Sequence, residues 1–126
     1  MSGRKSRNKV RRWEQDVARR MRAIFGNEEI RRGWQSREGD DEPDVVGVPH
    51  FWVECKRQKR TNFRAALRQA KGDSPEHLMP LAVCRDDPGE GTASVDSRTY
   101  AVMYMADFEK LLRILAGKLP DDTPCS

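Results

Sequence analysis

Two acidic residues and one lysine near the middle of the chain have the types and spacing that hydrolytic chemistry requires. Glu54 and Lys56 are two residues apart in a predicted β-strand, so their side chains project from the same face. Asp44 precedes a turn and is expected on the neighbouring strand. We expect two carboxylates and one ammonium group around a common point, where the carboxylates suit Mg²⁺ and the lysine suits an attacking water molecule.

A Glu-x-Lys pattern on an exposed strand is usually a surface ion pair, and the neighbouring residues argue against that interpretation here. Phe51, Trp52, Val53 and Cys55 make this strand apolar on both faces, which predicts a central position in a sheet. A carboxylate and an ammonium group on a central strand are costly unless they pair or bind a metal. Residues 56–71 carry seven Lys/Arg and no acid, so positive charge that attracts phosphate follows directly.

The elements that must position these residues follow from hydrophobic periodicity and from turn and capping residues. The predicted elements are a helix from about Asn8 to Phe25, a short strand within residues 30–36, strands over residues 44–48 and 51–56, a helix with Thr61 or Asn62 as its N-cap, strands over residues 78–84 and 99–105, and a helix that begins near Asp107. A polar loop is predicted over residues 85–98. This order predicts a single domain with a mixed α/β (α+β) sheet.

Length and charge restrict the class of protein further. The chain has 126 residues and is 37% hydrophobic, which suits one small domain and no membrane protein. It carries 24 Lys/Arg against 20 Asp/Glu, and the excess lies in the first third of the sequence. We expect a flexible basic arm over residues 1–9, one domain over residues 10–118 and a loose tail over residues 119–126. Uneven basic charge of this kind indicates a nucleic-acid partner.

The cysteine count argues against a disulfide scaffold and for a cytoplasmic protein. Cys55, Cys84 and Cys125 are odd in number and far apart, and no apolar segment follows the first basic residues as in a signal peptide. A zinc site built from His50, His77 and two of these cysteines would lack paired Cys-x-x-Cys spacing. We therefore expect reduced thiols in the core.

Around the acidic residues the sequence resembles a known nuclease family. Pro43-Asp44, nine further residues, and then Glu54-Cys55-Lys56 resemble the PD-(D/E)xK signature of restriction-endonuclease-like nucleases. The apolar residues before the Glu-x-Lys pattern and the helix after it also fit. The resemblance implies an αβββαβ core over residues 10–105, here followed by a C-terminal helix.

The resemblance also assigns roles within the site. It implies phosphodiester hydrolysis with Mg²⁺ or Mn²⁺ held by Glu14, Asp44, Glu54 and the carbonyl of Cys55, with Lys56 assisting the water molecule. Short members of the family, such as archaeal-type Holliday junction resolvases, carry a glutamate on the first helix, which Glu14 matches and Asp16 matches less well. They also often carry a glutamine after the Glu-x-Lys strand, which Gln69 matches. Ion pairing of Glu14 with nearby arginines, and a surface role for Gln69, stay open as alternatives.

The same resemblance implies a branched or duplex DNA partner and a homodimeric Holliday junction resolvase in the cytosol of a bacterium or archaeon, cellular or phage-encoded. Ser36 would aid cleavage, and the acidic residues 40–42 would supply a further ligand or repel unsuitable DNA. The residues assigned to DNA contact are Arg4, Lys5, Arg7, Lys9, Arg11 and Arg12 in the N-terminal run and Arg60, Arg64, Arg68 and Lys71 around the helix after the Glu-x-Lys strand.

Two other functions stay open at this point. Flap-cutting, repair and restriction-type nucleases share the same residues, although the short chain shows no evident target-recognition domain. A non-catalytic nucleic-acid-binding protein is the second alternative. Trp13, Trp34 and Trp52 are predicted to be core residues, and Trp34, which lies among arginines, is the one most suited to contact DNA.

Overall fold

Three helices and a five-stranded sheet make up the part of the chain that the computed structural model describes, residues 2–34, 42–89 and 94–117. Side chains are described from Arg7 onward. The elements are α1 (Ser2–Phe25), β1 (Arg31–Arg32), β2 (Val45–Val46), β3 (Phe51–Gln58), α2 (Phe63–Asp73), β4 (Met79–Asp86), a 3-10 turn (Val95–Arg98), β5 (Thr99–Val102) and α3 (Met105–Leu115). The mixed α/β class and the predicted order of helices and strands are confirmed.

The strands lie in the order β1-β2-β3-β4-β5, so β3 is the central strand, as its apolar residues predicted. The first three strands are antiparallel to one another, β3 and β4 are parallel, and β5 is antiparallel to β4. The parallel pair requires a crossover, and α2 provides it. Pro80, for which an edge, a strand start or a bulge was predicted, is the second residue of β4 and pairs with Trp52.

Helix α1 is longer than predicted. It begins at Ser2 rather than near Asn8, so residues 2–9, for which a flexible basic arm was predicted, belong to the helix. A helix that is anchored by packing extends at little cost through arginine and lysine, which are good helix formers. The anchor is Trp13, whose side chain is buried and whose Nε1 donates a hydrogen bond to the carbonyl of Val83 at 3.1 Å.

The two faces of the sheet carry separate cores. Helix α1 covers one face, in a cluster that comprises Trp13, Val17, Ala18, Ile30, Val45, Val48, Val53, Cys55 and Leu81. Helix α2 covers the other face, where Ala66 packs with Ala82 and Cys84. Both described cysteines are buried free thiols, as predicted. Trp34 is 71% exposed, so its assignment to the core is wrong.

Helix α2 begins where its capping residues predicted. The Asn62 side chain accepts a hydrogen bond from the backbone N–H of Ala65 at 3.0 Å, which satisfies a donor of the first helical turn. The helix ends at Asp73, directly before Ser74 and Pro75. This cap fixes where the helix that carries Gln69 starts relative to β3.

The last third of the chain departs from the prediction in its boundaries. Strand β4 reaches Asp86, and residues 95–98 form a 3-10 turn, so the predicted loop over residues 85–98 is shorter. Helix α3 begins at Met105, two residues before the predicted start, and none of its residues is buried. The predicted tail, residues 119–126, lies outside the described residues. None of the described helices is both long and apolar enough to cross a membrane.

Candidate active site

The sheet opens beside the second half of β3. Strand β2 pairs with β3 only at Val45 and Val53, and the backbone N–H of Asp44 donates to the carbonyl of Val53 at 2.9 Å. At Cys55, two residues further along β3, the Asp44 side chain replaces the backbone of β2 as the hydrogen-bond partner. Its Oδ2 accepts the N–H of Cys55 at 2.8 Å. The N–H and C=O of one strand residue point to the same side, so the Cys55 carbonyl faces this open edge too.

A cavity of about 630 Å³ lies at this opening. Its walls include every residue that the sequence assigned to catalysis or metal binding, namely Glu14, Asp44, Glu54, Cys55, Lys56 and Gln69. Among the residues assigned to DNA contact, Arg7 and Arg11 also line it. The remaining wall residues, which the sequence analysis did not single out for the site, are Val10, Arg32, Arg57 and Gln58.

The two carboxylates from the hairpin interact strongly. Glu54 is only 6% exposed, and its Oε1 accepts a hydrogen bond from Trp52 Nε1 at 3.1 Å. Burial, together with the negative charge of Asp44, raises the pKa of Glu54 to about 8. Neither carboxylate forms an ion pair with any described residue. The two carboxyl groups hydrogen-bond to each other, and a bound cation would favour the ionised form of both.

Glu14 is already paired. It is 4% exposed, and Arg32 Nε donates to its Oε1 at 2.6 Å. Burial raises the pKa of Glu14, the hydrogen bond from Arg32 opposes this shift, and the charge of Asp44 adds to it. The ion pairing that the sequence left open for Glu14 is therefore present. Arg32 itself was missed, because its only signal was a pair of arginines in a short strand.

Strand β1 holds Arg32 close to Asp44. Arg32 pairs with Val45, the residue after Asp44, and the backbone N–H of Gly33 donates to the carbonyl of Asp44 at 2.7 Å. A Cβ atom on Gly33 would overlap the carbonyl oxygen of Pro43, so this close approach requires glycine. The short β1 strand thus fixes one wall of the cavity.

Lys56 and Gln69 complete the site from β3 and α2. Lys56 is partly exposed, and it makes no hydrogen bond or ion pair with any residue that the structure describes. Gln69 is exposed on α2, which covers the face of the sheet opposite to α1, and its side chain lines the cavity. Both side chains are therefore available to a ligand in the cavity.

The residues present fit a divalent cation with oxygen ligands. Asp44, Glu54 and the Cys55 carbonyl supply hard oxygens, and Mg²⁺ commonly takes one or two carboxylates and keeps several water molecules. Within the described ranges, no group of three or more His, Cys, Asp or Glu side chains is arranged to hold a metal ion. His50 and His77 are exposed, whereas Cys55 and Cys84 are buried, so a zinc site from these residues is not assembled.

Most of the other predicted DNA-contact residues lie away from the cavity. Arg60, Arg64, Arg68 and Lys71 are exposed at the start and along the outside of α2. Lys9 and Arg12 are exposed on α1. Arg4 and Lys5 belong to the helix, but their side chains lie outside the description. The structure thus presents two cationic surfaces, one at the cavity and one on α2.

Arg57 lines the cavity but is engaged in a structural network. Its Nε donates to Asp87 Oδ2 at 2.6 Å, and its NH1 donates to the carbonyl of Lys9 at 3.1 Å. Arg98 also donates to Asp87, at 2.8 Å. These contacts tie the end of β3 to β4, to α1 and to the segment before β5.

The acidic loop before Pro43 is described only at its end. Ser36, Asp40 and Asp41 lie outside the described residues, so their predicted roles stay predictions. Glu42 pairs with Arg31 at 2.9 Å and accepts the N–H of Trp34 at 3.0 Å, so its carboxylate is engaged away from the cavity.

Comparison with known proteins yields no relative. The chain matches no protein-family model, no curated protein and no solved structure.

Proposed function

We propose that this protein is a metal-dependent endonuclease that hydrolyses phosphodiester bonds in DNA. The observation that carries the proposal is the cavity at the open edge of β3, which gathers Asp44, Glu54, the Cys55 backbone and Lys56. Arg7 and Arg11 on the same walls provide positive charge for a polyanion. This combination of oxygen ligands, one unengaged amine and basic walls suits a phosphodiester better than a neutral substrate.

In this proposal Asp44, Glu54 and the Cys55 carbonyl hold Mg²⁺ or Mn²⁺. When bound, the metal supplies Lewis-acid chemistry that offsets negative charge developing on the phosphate. Asp44 has a second task, because its side chain also holds the N–H of Cys55 and thereby the orientation of that carbonyl.

The remaining residues handle the water molecule and the phosphate. Lys56 orients the attacking water, whose proton passes to solvent, and the Gln69 amide helps to orient it. The water oxygen bonds to phosphorus, the bond from phosphorus to the 3′ oxygen breaks, and that oxygen takes a proton from solvent. The products carry a 5′-phosphate and a 3′-hydroxyl group, as the family resemblance implies.

Branched DNA is the substrate we propose within this class, with a homodimeric Holliday junction resolvase as the specific form. The support is the resemblance together with the two basic surfaces, which recognise phosphate charge rather than base sequence. Symmetric cleavage of a junction requires two sites, so sedimentation is expected to give twice the 14.5 kDa chain mass. A cytosolic location also stays a prediction.

A non-catalytic DNA-binding protein is the second candidate. The observation that favours it is the ion pair of Glu14 with Arg32, which engages a carboxylate that the resemblance assigns to the metal. In such a protein the basic surfaces would bind DNA and the carboxylates would have no reaction to perform.

Cleavage assays separate these candidates. Labelled four-way junction, flap, duplex and single-stranded DNA of matched sequence are incubated with Mg²⁺, with Mn²⁺ or with EDTA. We expect the junction to be cut in either metal, and we expect EDTA or Asp44→Asn to lower the rate at least about a hundredfold. Asp96→Asn, which changes an exposed carboxylate away from the cavity, is the matched control and is expected to cut normally.

Other outcomes redirect the proposal. Cleavage of flaps or single strands instead of the junction would retain the site and change the substrate. Binding of all four DNAs without cleavage in either metal would establish the DNA-binding candidate and remove the catalytic roles of Glu54 and Lys56.

A further inference from the structure

Arg32 is a cation held in place inside the cavity wall. Its Nε lies 2.6 Å from Glu14 Oε1, and the two side chains are 25% and 5% exposed. A charge-assisted hydrogen bond of this length to a buried carboxylate restrains the guanidinium strongly. The ion pair therefore acts as a support that fixes where the positive charge sits.

The rest of the Arg32 guanidinium is available to a ligand. The group carries five N–H donors in a planar fork, and the bond to Glu14 uses the one on Nε. Among the residues that the structure describes, neither terminal nitrogen of Arg32 donates a hydrogen bond. A planar pair of nitrogens matches two oxygens of one phosphate, a geometry that the ammonium group of lysine does not offer.

The backbone places this fork beside the proposed reaction centre. Arg32 pairs with Val45, and Gly33 hydrogen-bonds to Asp44, so β1 cannot shift without moving Asp44. Of the other cations on the cavity wall, Arg57 is bonded to Asp87, Arg7 and Arg11 are exposed on α1, and Lys56 has no described partner that restrains it. Arg32 is the cation here that is both restrained and open to an anion.

We propose that Arg32 binds the phosphate that is cleaved, and that Glu14 is the positioning residue that holds Arg32 rather than a ligand of the metal. This inference rests on the proposed function, since it assigns the phosphate subsite of the same cavity. It also explains why a nearly buried glutamate on α1 is directed at an arginine of β1.

The first test uses phosphate binding without metal. A thymidine dinucleotide with one phosphodiester is titrated into the protein in EDTA, and the Nε–Hε resonance of Arg32 is followed by NMR. We expect that resonance to shift on titration, and we expect Arg32→Ala to weaken binding at least about tenfold. Arg32→Lys is expected to restore little affinity, because it keeps the charge without the fork. Glu14→Gln is expected to weaken binding about threefold or more and to move the Nε–Hε resonance before any ligand is added.

The second test measures Mn²⁺ affinity without DNA. If Glu14 positions Arg32, Glu14→Gln leaves the Mn²⁺ affinity within about twofold of the unmodified protein, whereas Asp44→Asn weakens it at least about tenfold. An equal loss in both variants would make Glu14 a metal ligand and overturn the inference. Dinucleotide binding that is unchanged in both Arg32 variants would also overturn it.

Controls separate a binding defect from misfolding and from failure of the proposed function. Arg31→Ala removes the neighbouring arginine, which pairs with Glu42, and is expected to bind the dinucleotide normally. Each variant's thermal unfolding shows whether it folds, and Arg32→Lys retains charge if Arg32→Ala does not fold. A protein that cuts no DNA but binds the dinucleotide through Arg32 would refute the nuclease and retain the phosphate site. A protein that cuts DNA, but whose dinucleotide binding does not depend on Arg32, would retain the nuclease and refute the phosphate site.

Discussion

At the scale of single residues, carboxylates in this protein divide by whether an arginine accompanies them. Asp87 accepts hydrogen bonds from Arg57 and Arg98, and Glu14 accepts one from Arg32. Asp44 and Glu54 have no such partner among the described residues. A carboxylate that is paired with an arginine stabilises the structure when it is ionised. Asp44 and Glu54 line a cavity without a described arginine partner and keep oxygen atoms that a cation can bind. We therefore treat Asp87 as structural and keep the functional role of Asp44 and Glu54 as our proposal.

The ion pairs of Asp87 predict a dependence of stability on acid. Burial disfavours its charged form, but Arg57 and Arg98 favour it more, so the pKa of Asp87 lies below its usual value of 3.8. A lowered folded-state pKa contributes stability that is complete above pH 3.8 and is lost as the pH falls through the folded value. We expect Asp87→Asn to be less stable than the unmodified protein at pH 7, and the difference to shrink below pH 3.8.

Urea unfolding at pH 7, 5, 4 and 3 measures this difference. Asp107→Asn is the matched control, because Asp107 is partly buried and pairs with Lys110, an exposed lysine one helical turn away. We expect its loss of stability to be small and the same at all four pH values. A constant gap between the Asp87 variant and the unmodified protein at all four pH values would show that packing, not charge, explains the loss.

At the scale of elements, the close contact of β1 with the segment before β2 depends on one glycine. Gly33→Ala places a methyl group where the carbonyl oxygen of Pro43 lies, so the two segments must separate. We expect the free energy of unfolding to fall by about 1–3 kcal/mol, the usual cost of overpacking. Because Arg32 and Asp44 lie on these two segments, we also expect dinucleotide binding to weaken.

Gly72→Ala is the matched control for this change. Gly72 lies within α2, and an added Cβ there meets no atom within 4 Å. Alanine in a helix is more favourable than glycine, so we expect a gain of about 0.5 kcal/mol. Equal effects of the two substitutions in urea unfolding would contradict the steric explanation for Gly33.

Helix α1 is joined to β4 through Trp13. Trp13→Phe removes the hydrogen bond to the Val83 carbonyl and leaves part of a buried volume empty. We expect the free energy of unfolding to fall by about 1–3 kcal/mol. Because Glu14 is the next residue along α1, the Arg32 Nε–Hε resonance is expected to broaden or shift in this variant. An unchanged resonance and stability would show that α1 is held by other contacts.

At the scale of the whole molecule, two cationic surfaces are candidates for the DNA contact that we propose. Arg7 and Arg11 line the cavity, whereas Arg64 and Arg68 are exposed along α2. If DNA must reach the cavity, Arg7→Ala with Arg11→Ala is expected to weaken junction binding about tenfold at 0.1 M salt. The slope of log affinity against log salt is expected to become shallower by about two, roughly one for each lost phosphate contact.

The α2 surface and one remote arginine serve as comparisons. Arg64→Ala with Arg68→Ala shows whether α2 also contacts the substrate, and Arg113→Ala on α3 is expected to change nothing, since it lies on neither surface. A larger loss from the α2 variant than from the cavity variant would place the DNA along α2 and away from the proposed centre.

The local features of this protein were predictable from its sequence. Period-two spacing places Glu54 and Lys56 on one face of a strand, and the turn at residues 49–50 brings Asp44 to the neighbouring segment. The cap of α2 at Asn62 and the central position of β3 follow from side-chain chemistry and from apolar residues on both strand faces. These features depend on residues at most about a dozen positions apart, where covalent geometry limits the alternatives.

Tertiary structure decided the features that join distant residues. The ion pair of Glu14 with Arg32 spans 18 positions, and that of Arg57 with Asp87 spans 30. Which residues form such ion pairs depends on how a helix packs against a sheet and on which charged side chains that packing buries. The exposure of Trp34 and the helical course of residues 2–9 were missed for the same reason. Local sequence determines which face of an element a side chain occupies, and only packing determines which partner it meets there.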